Sequence, residues 1–348
     1  MKAYAVNSSS QAKSEPRYGI GEAKVFPRGL KPRVVGVLTA RLKPRPFKAK
    51  NFVLVFALVA VMLSPAAGFG QQHFRGDKAL EITREFVAIG PRWCTGPGHA
   101  KAEAFLRDQF KHDKLEEDTF TANTPIGPVP MRNFIVRFPG KKDGVIVLTT
   151  HYETNYPLRN IGFVGANDGG STTGLLIEIA NEIRGKALDG YSVWLVFFDG
   201  EEAIQSWQGT DNTYGSRHLA AKWGGDGTLK RIKALMLADM LGDKDLDVQK
   251  ETQSTKWLSN LVFQASKNTG HAKYFFAKEQ AEEDDHIPFL ERGVPAIDVI
   301  DADYGPHTAE LPDGWHHTAQ DTMDKVSAKS LTIAGDVFLE SIKLINQR

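Results

Sequence analysis

Residues 192–203 read SVWLVFFDGEEA, an apolar run that turns acidic within one residue. Residues 192–198 are almost continuously apolar and rich in β-prone side chains, which is typical of a strand buried on both faces. Asp199, Glu201 and Glu202 follow immediately. This stretch therefore predicts a buried central strand with a polar cluster at its carboxyl end.

The same order, an apolar segment followed by acidic or histidine side chains, recurs along the chain. It holds for residues 145–150 before His151-Tyr152-Glu153, for 232–238 before Asp239, and for 296–300 before Asp301. Segments with helical periodicity, such as 172–183, 256–266 and 326–344, alternate with these strands. The alternation predicts an α/β fold: a single domain with a central, mostly parallel mixed sheet flanked by helices on both faces.

The first 70 residues have a different composition. Residues 1–51 carry twelve Lys/Arg and two Asp/Glu, and we expect a basic, disordered extension there. The apolar run 52–63 and the small residues after it complete the order of a secretory signal, so residues 52–70 are predicted to be a signal-peptide h-region and cleavage zone. The remainder, 71–348, would be the catalytic domain, exported to the periplasm or the extracellular space. The alternative is a membrane anchor formed by an uncleaved 52–70, although its apolar run is shorter than the about 20 residues of a membrane span.

The composition of residues 71–348 excludes several classes of protein. This part carries 31 basic and 40 acidic side chains, and such an acidic body argues against nucleic acid as a partner, because phosphate binding needs clustered positive charge. The single cysteine, Cys94, excludes an intrachain disulfide and a cysteine-rich zinc finger. Any metal must therefore be held by His, Asp and Glu.

Polar side chains at the carboxyl ends of several strands predict a metal site. In open α/β sheets, ligands bind beyond these strand ends, and the segment GANDGG at 165–170 adds Asp168 just before a helix. A bound cation would offset the mutual repulsion of so many carboxylates. One histidine and two carboxylates would match the three protein ligands of a catalytic zinc site, but the ligands come from distant segments and no local spacing identifies them.

Several motifs resemble those of glutaminyl-peptide cyclotransferases, and some are shared with the related zinc aminopeptidases. The matching segments are GANDGG (165–170), FFDGEEA (197–203), YGSRHLA (214–220), ADMLGD (238–243), DDHIPFLERGVP (284–295) and WHHTAQDT (315–322). They occur in order over most of residues 76–345. The resemblance implies an enzyme that cyclises the N-terminal glutamine of peptides or proteins to pyroglutamate and releases ammonia.

The resemblance also implies roles for individual residues. It implies one zinc ion (Zn2+) on Asp168, Glu202 and His317, with Glu201 as the proton shuttle. The supporting hydrogen-bond network would contain Asp239 and Asp284, and the pocket for the N-terminal residue of the substrate would be lined by Trp207 and Trp315.

Two departures from the family pattern leave alternatives open. The HxD pattern of the superfamily reads His151-Tyr152-Glu153 here, and His316 separates Trp315 from His317. As a neighbour of the ligands, His151 would suit a one-zinc cyclase; as a ligand of a second zinc, it would indicate an aminopeptidase that hydrolyses N-terminal residues. Asp239 has the same two interpretations. A third hypothesis is a catalytically silent peptide-binding protein, against which the intact Glu201-Glu202 pair argues.

Overall fold

A computed structural model of the chain describes residues 73–348. The predicted basic extension at 1–51 and the predicted signal segment at 52–70 lie outside the described residues. Within residues 73–348, no helix combines the length and the apolar character that a membrane crossing needs.

The central sheet is mixed and mostly parallel, as predicted. The strands of the described part are β1 Leu115–Thr124, β2 Gly127–Phe138, β3 Gly140–His151, β4 Leu188–Phe198, β5 Ile232–Asp239, β6 Val248–Glu251, β7 Phe275–Gln280 and β8 Ala296–Ile300. Six of them form one sheet in the order β1-β2-β4-β3-β5-β8. Strands β4, β3, β5 and β8 are parallel, whereas β1 and β2 form an antiparallel hairpin attached to β4. The short strands β6 and β7 pair separately.

Helices cover both faces of this sheet. In the described residues they are α1 Gly76–Val87, α2 Pro97–Gln109, α3 Gly170–Ile183, α4 Tyr214–Gly225, α5 Lys256–Asn268, α6 Ile287–Leu290 and α7 Ala328–Asn346. Helices α1, α2, α3, α5 and α7 contribute to the larger apolar core, and α4 and α6 contribute to the core on the opposite face. The predicted three-layer arrangement is confirmed.

Strand β4 shows why its sequence is continuously apolar. Successive side chains of a strand point to opposite faces of the sheet. In β4 one alternating set lies in the larger core and the other set in the smaller core; these are Val193, Leu195 and Phe197 against Trp194, Val196 and Phe198. Each of these side chains stabilises the fold by roughly 1.5–3 kcal/mol when fully buried. A polar residue at any of these positions would lie in an apolar layer.

The hairpin of β1 and β2 is the element that the sequence patterns did not predict in full. In β2, only residues 134–138 (FIVRF) form a β-prone run that the sequence shows. Strand β1 is an edge strand, and two of its ten residues, Asp118 and Ala122, are buried. An edge strand with one solvated face needs no apolar run, so its sequence lacks the signal that identified β4.

Helices α1 and α3 approach each other closely at Gly174. A Cβ atom at this position would lie 2.1 Å from Thr83 Oγ1 and 2.7 Å from the carbonyl oxygen of Ala79. Helix α3 begins directly after the loop that carries Asp168. The packing of α1 on α3 therefore fixes the helix that continues from this loop.

Replacing Gly174 with alanine should therefore destabilise the domain. The added methyl group has no space between the two helices, and overpacking of this kind costs about 1–3 kcal/mol. Gly225→Ala is the matched control, because a Cβ atom at Gly225 meets no atom within 4 Å. Denaturant unfolding of both variants measures the difference; equal free energies of unfolding would contradict the tight packing at Gly174.

Candidate active site

The polar side chains predicted from the strand ends do converge at one edge of the sheet. His151 is the last residue of β3, Asp239 is the last residue of β5, and Glu201 and Glu202 lie in the turn after β4. Because β4, β3 and β5 are neighbours and parallel, their carboxyl ends meet. Asp168 reaches the same edge from the turn that precedes α3.

Asp168, Glu202 and His317 form a set of donors suited to zinc. His317 Nε2 lies 2.9 Å from Glu202 Oε1 and 3.4 Å from Asp168 Oδ2. Asp168 Oδ2 is buried and makes no hydrogen bond within the described residues. An imidazole nitrogen and two carboxylate oxygens match the chemistry and number of ligands in a catalytic zinc site. These residues therefore fit the metal that the sequence predicted.

His316 is the competing imidazole. Its Nε2 atom lies 3.9 Å from Asp168 Oδ2, and its ring centroid lies 3.9 Å from that of His317. His317 adopts a left-handed backbone conformation with φ of 53°, which is uncommon for a residue other than glycine. It approaches two carboxylates, whereas His316 approaches one, and this favours His317 as the ligand.

A ring of carboxylates surrounds His151. Its Nε2 atom lies 3.0 Å from Asp168 Oδ1 and 3.5 Å from Asp239 Oδ1. Its Nδ1 atom lies 3.7 Å from Glu201 Oε2 and 3.8 Å from Glu153 Oε2. Burial alone would lower the pKa of this imidazole, but the nearby carboxylates raise it well above its usual value. The two oxygens of Asp168 thus face two different histidines, His317 and His151.

Glu201 is buried beside this cluster and lines the adjoining cavity. Burial raises the pKa of its carboxyl group well above the usual value, and the negative charges of Asp284 and Glu202 raise it further, while His151 opposes them. Burial and Asp239 likewise raise the pKa of Asp284. A carboxyl group with a raised pKa can accept and return a proton near neutral pH.

Three hydrogen bonds fix the Asp168 loop through Asp321, a residue that the sequence analysis did not single out. The carboxylate of Asp321 accepts from the backbone N–H groups of Asn167 at 2.8 Å and Asp168 at 3.2 Å. The Tyr304 hydroxyl donates to it at 2.7 Å. Burial raises the pKa of Asp321 to about 7, and the charge of Asp168 adds to this effect. Its place in the WHHTAQDT motif was the available signal.

Glu153 and Asn155 orient Glu202. The backbone N–H of Glu202 donates to Glu153 Oε1 at 3.0 Å, and Asn155 Nδ2 donates to Glu202 Oε2 at 2.7 Å. The bond from Asn155 engages Oε2 and leaves Oε1 facing His317. The longer acid in His151-Tyr152-Glu153, a departure from the family pattern, therefore reaches the turn after β4.

Arg92 joins the segment after β3 to the segment before α3. Its guanidinium is fully buried and donates to the carbonyl oxygens of Tyr152 at 3.0 Å, Val164 at 2.6 Å and Gly165 at 3.0 Å. Its backbone N–H donates to Thr154 Oγ1 at 2.8 Å. Burial lowers the pKa of Arg92 to about 10, so it stays cationic at neutral pH and offsets nearby carboxylates. Sequence reasoning missed this role, because an isolated arginine has no periodic signal.

A buried pair, His99 and Asp199, joins α2 to the turn after β4. His99 Nε2 lies 2.8 Å from Asp199 Oδ1, and Asp199 Oδ2 accepts from the backbone N–H of Arg132 at 2.8 Å. Burial alone would lower the pKa of His99, but Asp199 and other carboxylates raise it to about 9. Asp199 thereby supports the strand end from which Glu201 and Glu202 project.

The two tryptophans predicted for the substrate pocket have different surroundings. A cavity of about 850 Å³ adjoins the cluster and is lined by Trp207, which is 36% exposed. Trp315 is not among the described residues that line it. Its ring packs against Tyr304, with ring centroids 5.5 Å apart, and the Lys325 ammonium lies 4.9 Å from its centroid. The Trp315 ring shares an apolar cluster with Tyr304 and Met240, and Met240 also lines the cavity. The pocket role expected for Trp315 stays a prediction.

Residues 133–342 match the sequence profile of peptidase family M28, to which the chain belongs. Within this family it is similar to the glutaminyl-peptide cyclotransferases. It is 30% identical to that protein of Drosophila melanogaster over 314 residues, which cover 79% of this chain and 86% of the relative.

Solved structures of a glutaminyl cyclase and of a zinc exopeptidase are also similar to this chain. The crystal structure of Acidobacteriales bacterium glutaminyl cyclase is 63% identical, with a TM-score of 0.79 over 80% of this chain and 96% of that one. A Zn-dependent exopeptidase from Parabacteroides distasonis is 25% identical, with a TM-score of 0.68 over 80% of this chain and 99% of that one.

Substituting Arg92 with lysine should weaken metal retention. Arg92 donates to three carbonyl oxygens from three separate nitrogen atoms. Lysine keeps the positive charge, but its donors share one nitrogen and cannot span these positions, so the loop before Asp168 loses its fixed position. Outer supports of a metal site typically change affinity by about 10–100-fold. Zinc competition with a chromogenic chelator measures the effect, and Arg84→Lys on the exposed side of α1 is the matched control. Unchanged zinc affinity in Arg92→Lys would contradict the positioning role.

Proposed function

We propose that this chain is a zinc-dependent glutaminyl-peptide cyclotransferase that converts the N-terminal glutamine of peptides or proteins to pyroglutamate and releases ammonia. The observation that carries the proposal is the divergence of two consecutive glutamates after β4. Glu202 Oε1 lies 2.9 Å from His317 Nε2, whereas Glu201 Oε2 lies 3.7 Å from His151 Nδ1. One carboxylate is therefore available to a metal and the other to a substrate in the cavity.

The residues that would hold the zinc ion are Asp168, Glu202 and His317. When bound, zinc supplies Lewis-acid polarisation of the side-chain amide carbonyl of the substrate glutamine. Asp168, Glu202 and His317 line the same cavity as Glu201. A carbonyl polarised by zinc in this cavity would be within the space that the proposed proton shuttle also faces.

Glu201 would move the proton that the reaction requires. The α-amine of the substrate must lose a proton as its nitrogen bonds to the amide carbon, and the amide nitrogen must gain one as it leaves as ammonia. A single carboxylate can perform both transfers if its pKa lies near the working pH. Burial and the neighbouring Asp284 raise the pKa of Glu201 in that direction, and Asp239 raises that of Asp284.

A two-zinc aminopeptidase is the second candidate, and one observation favours it. His151 Nε2 lies near oxygens of Asp168 and Asp239, and neither ring nitrogen of His151 makes a hydrogen bond within the described residues. The chain is 63% identical to the Acidobacteriales bacterium glutaminyl cyclase and 25% identical to the zinc exopeptidase. This difference supports one zinc ion, with His151 and Asp239 as charged neighbours of its ligands.

Export is part of the same proposal. The basic, apolar and small-residue order of residues 41–70 supports cleavage of a signal segment and release to the periplasm or extracellular space. The substrates would then be N-termini of exported or external peptides. N-terminal sequencing of the exported protein would establish the cleavage position, and a retained 52–70 would mean membrane anchoring.

The activity is tested by incubating the purified zinc-loaded protein with Gln-peptides and, separately, with aminoacyl anilides. We expect pyroglutamyl product and ammonia from the former and no anilide cleavage from the latter, with one zinc ion per chain by metal analysis. Protein stripped of metal by a chelator is the control and should be inactive until zinc is restored. Anilide cleavage without cyclisation would replace the cyclase with the aminopeptidase.

Substitution of Glu201 and of Glu202 should have different effects on zinc content and turnover. Glu201→Gln is expected to keep its zinc and to lose turnover by about 10²–10⁴-fold, because the proton shuttle is removed and the ligands are not. Glu202→Gln is the matched comparison, and it should bind zinc more weakly because a proposed ligand is changed. Metal analysis and the cyclisation rate measure both. Loss of metal in Glu201→Gln with retention in Glu202→Gln would mean that the two roles are exchanged.

A further inference from the structure

The catalytic cavity extends well beyond the proposed reacting groups. Its volume of about 850 Å³ lies near the upper end of the about 300–1,000 Å³ of pockets that enclose a drug-sized ligand. There is space for residues that follow the first residue of a substrate. We use the term outer wall for the cavity-lining residues Lys278, Glu282, Glu283, Asp303, His307 and Asp313.

The cationic side chain of the outer wall is already neutralised. Lys278 Nζ pairs with Asp303 Oδ2 at 2.5 Å and with Asp247 Oδ2 at 3.0 Å. His307 is also engaged, since its Nε2 atom lies 2.8 Å from Asp303 Oδ1 and its Nδ1 atom lies 2.7 Å from the carbonyl oxygen of Pro312. Neither side chain is free to attract an anionic substrate.

Three carboxylates of the outer wall have no such partner. Glu282, Glu283 and Asp313 form no ion pair with any residue between 73 and 348. Glu282 accepts a hydrogen bond from the neutral amide of Gln280, and Glu283 and Asp313 are exposed. Burial raises the pKa of Glu282 and favours its neutral form. The negative charge that the outer wall presents to the cavity without an ion-pair partner among the described residues therefore comes chiefly from Glu283 and Asp313.

We infer that the outer wall selects peptides that carry lysine or arginine in the second or third position and disfavours those with aspartate or glutamate there. The inference rests on the proposed cyclase activity. A cleft lined by charge of one sign concentrates ligands of the opposite sign, and an acidic side chain would meet like charge in the same space. Glutamine with a basic neighbour is thus the preferred peptide N-terminus.

A series of three matched peptide amides tests this preference: Gln-Lys-Ala-amide, Gln-Ala-Ala-amide and Gln-Glu-Ala-amide. We expect kcat/KM to fall in that order, with the lysine peptide roughly tenfold above the glutamate peptide at low salt, because several weak exposed charge interactions act in the same direction. The ratio should approach one at about 1 M salt, where charges are screened beyond about 3 Å. A ratio of one or below at low salt would overturn the inference.

The variant Glu283→Gln/Asp313→Asn shows whether the outer wall is the cause. It should bring the ratio of the lysine to the glutamate peptide close to that at high salt, while Glu85→Gln, which removes a carboxylate from the exposed face of α1, leaves the ratio unchanged. An unaltered ratio in the double variant would overturn the assignment to these carboxylates. If the unmodified protein cyclises none of the three peptides, Gln-Ala-Ala-amide included, the proposed function is overturned and the inference with it.

Discussion

Electrostatic repulsion among buried carboxylates is the constraint on which the arrangement of this site depends. Parallel pairing of β4, β3 and β5 brings Asp168, Glu201, Glu202 and Asp239 to one edge of the sheet. Burying carboxylates without compensation is costly. The fold offsets the charge with the imidazoles of His151 and His317, with the buried guanidinium of Arg92, and with raised pKa values that favour the neutral acid, as at Glu201. A divalent cation on Asp168, Glu202 and His317 would complete the compensation.

The residues that position the site come from many parts of the chain, and each holds a different segment. Asp321 holds the backbone of the Asp168 loop, and Glu153 and Asn155 orient Glu202. Arg92 joins the segment after β3 to the segment before α3. Each of these residues contacts Asp168, Glu202 or the loop before Asp168 through hydrogen bonds. Such bonds depend on direction, so the positions of Asp168 and Glu202 are set by the whole α/β framework.

The agreement between sequence and structure follows the strength of the local signal. Strand β4 was predictable because both of its faces are buried, which requires an apolar residue at every position. Strand β1 was not, because an edge strand tolerates polar residues on its exposed face. The packing of Trp315 against Tyr304 had no local signal, because the motif that contains the tryptophan does not specify its partner. The pair of His99 and Asp199 had no signal, since its members lie 100 positions apart.

The sequence by itself determined the alternation of strands and helices, the acidic character of residues 71–348 and the polar clusters at the strand ends, because periodicity and composition are local properties. Only the tertiary structure decided which of these side chains meet. It placed His317 rather than His316 nearer two carboxylates, brought His151 between Asp168 and Asp239, and left the outer wall without a free cation among the described residues. The physical reason is that charges interact according to distance in space, and the distance between segments far apart in sequence is set by the packing of the whole domain.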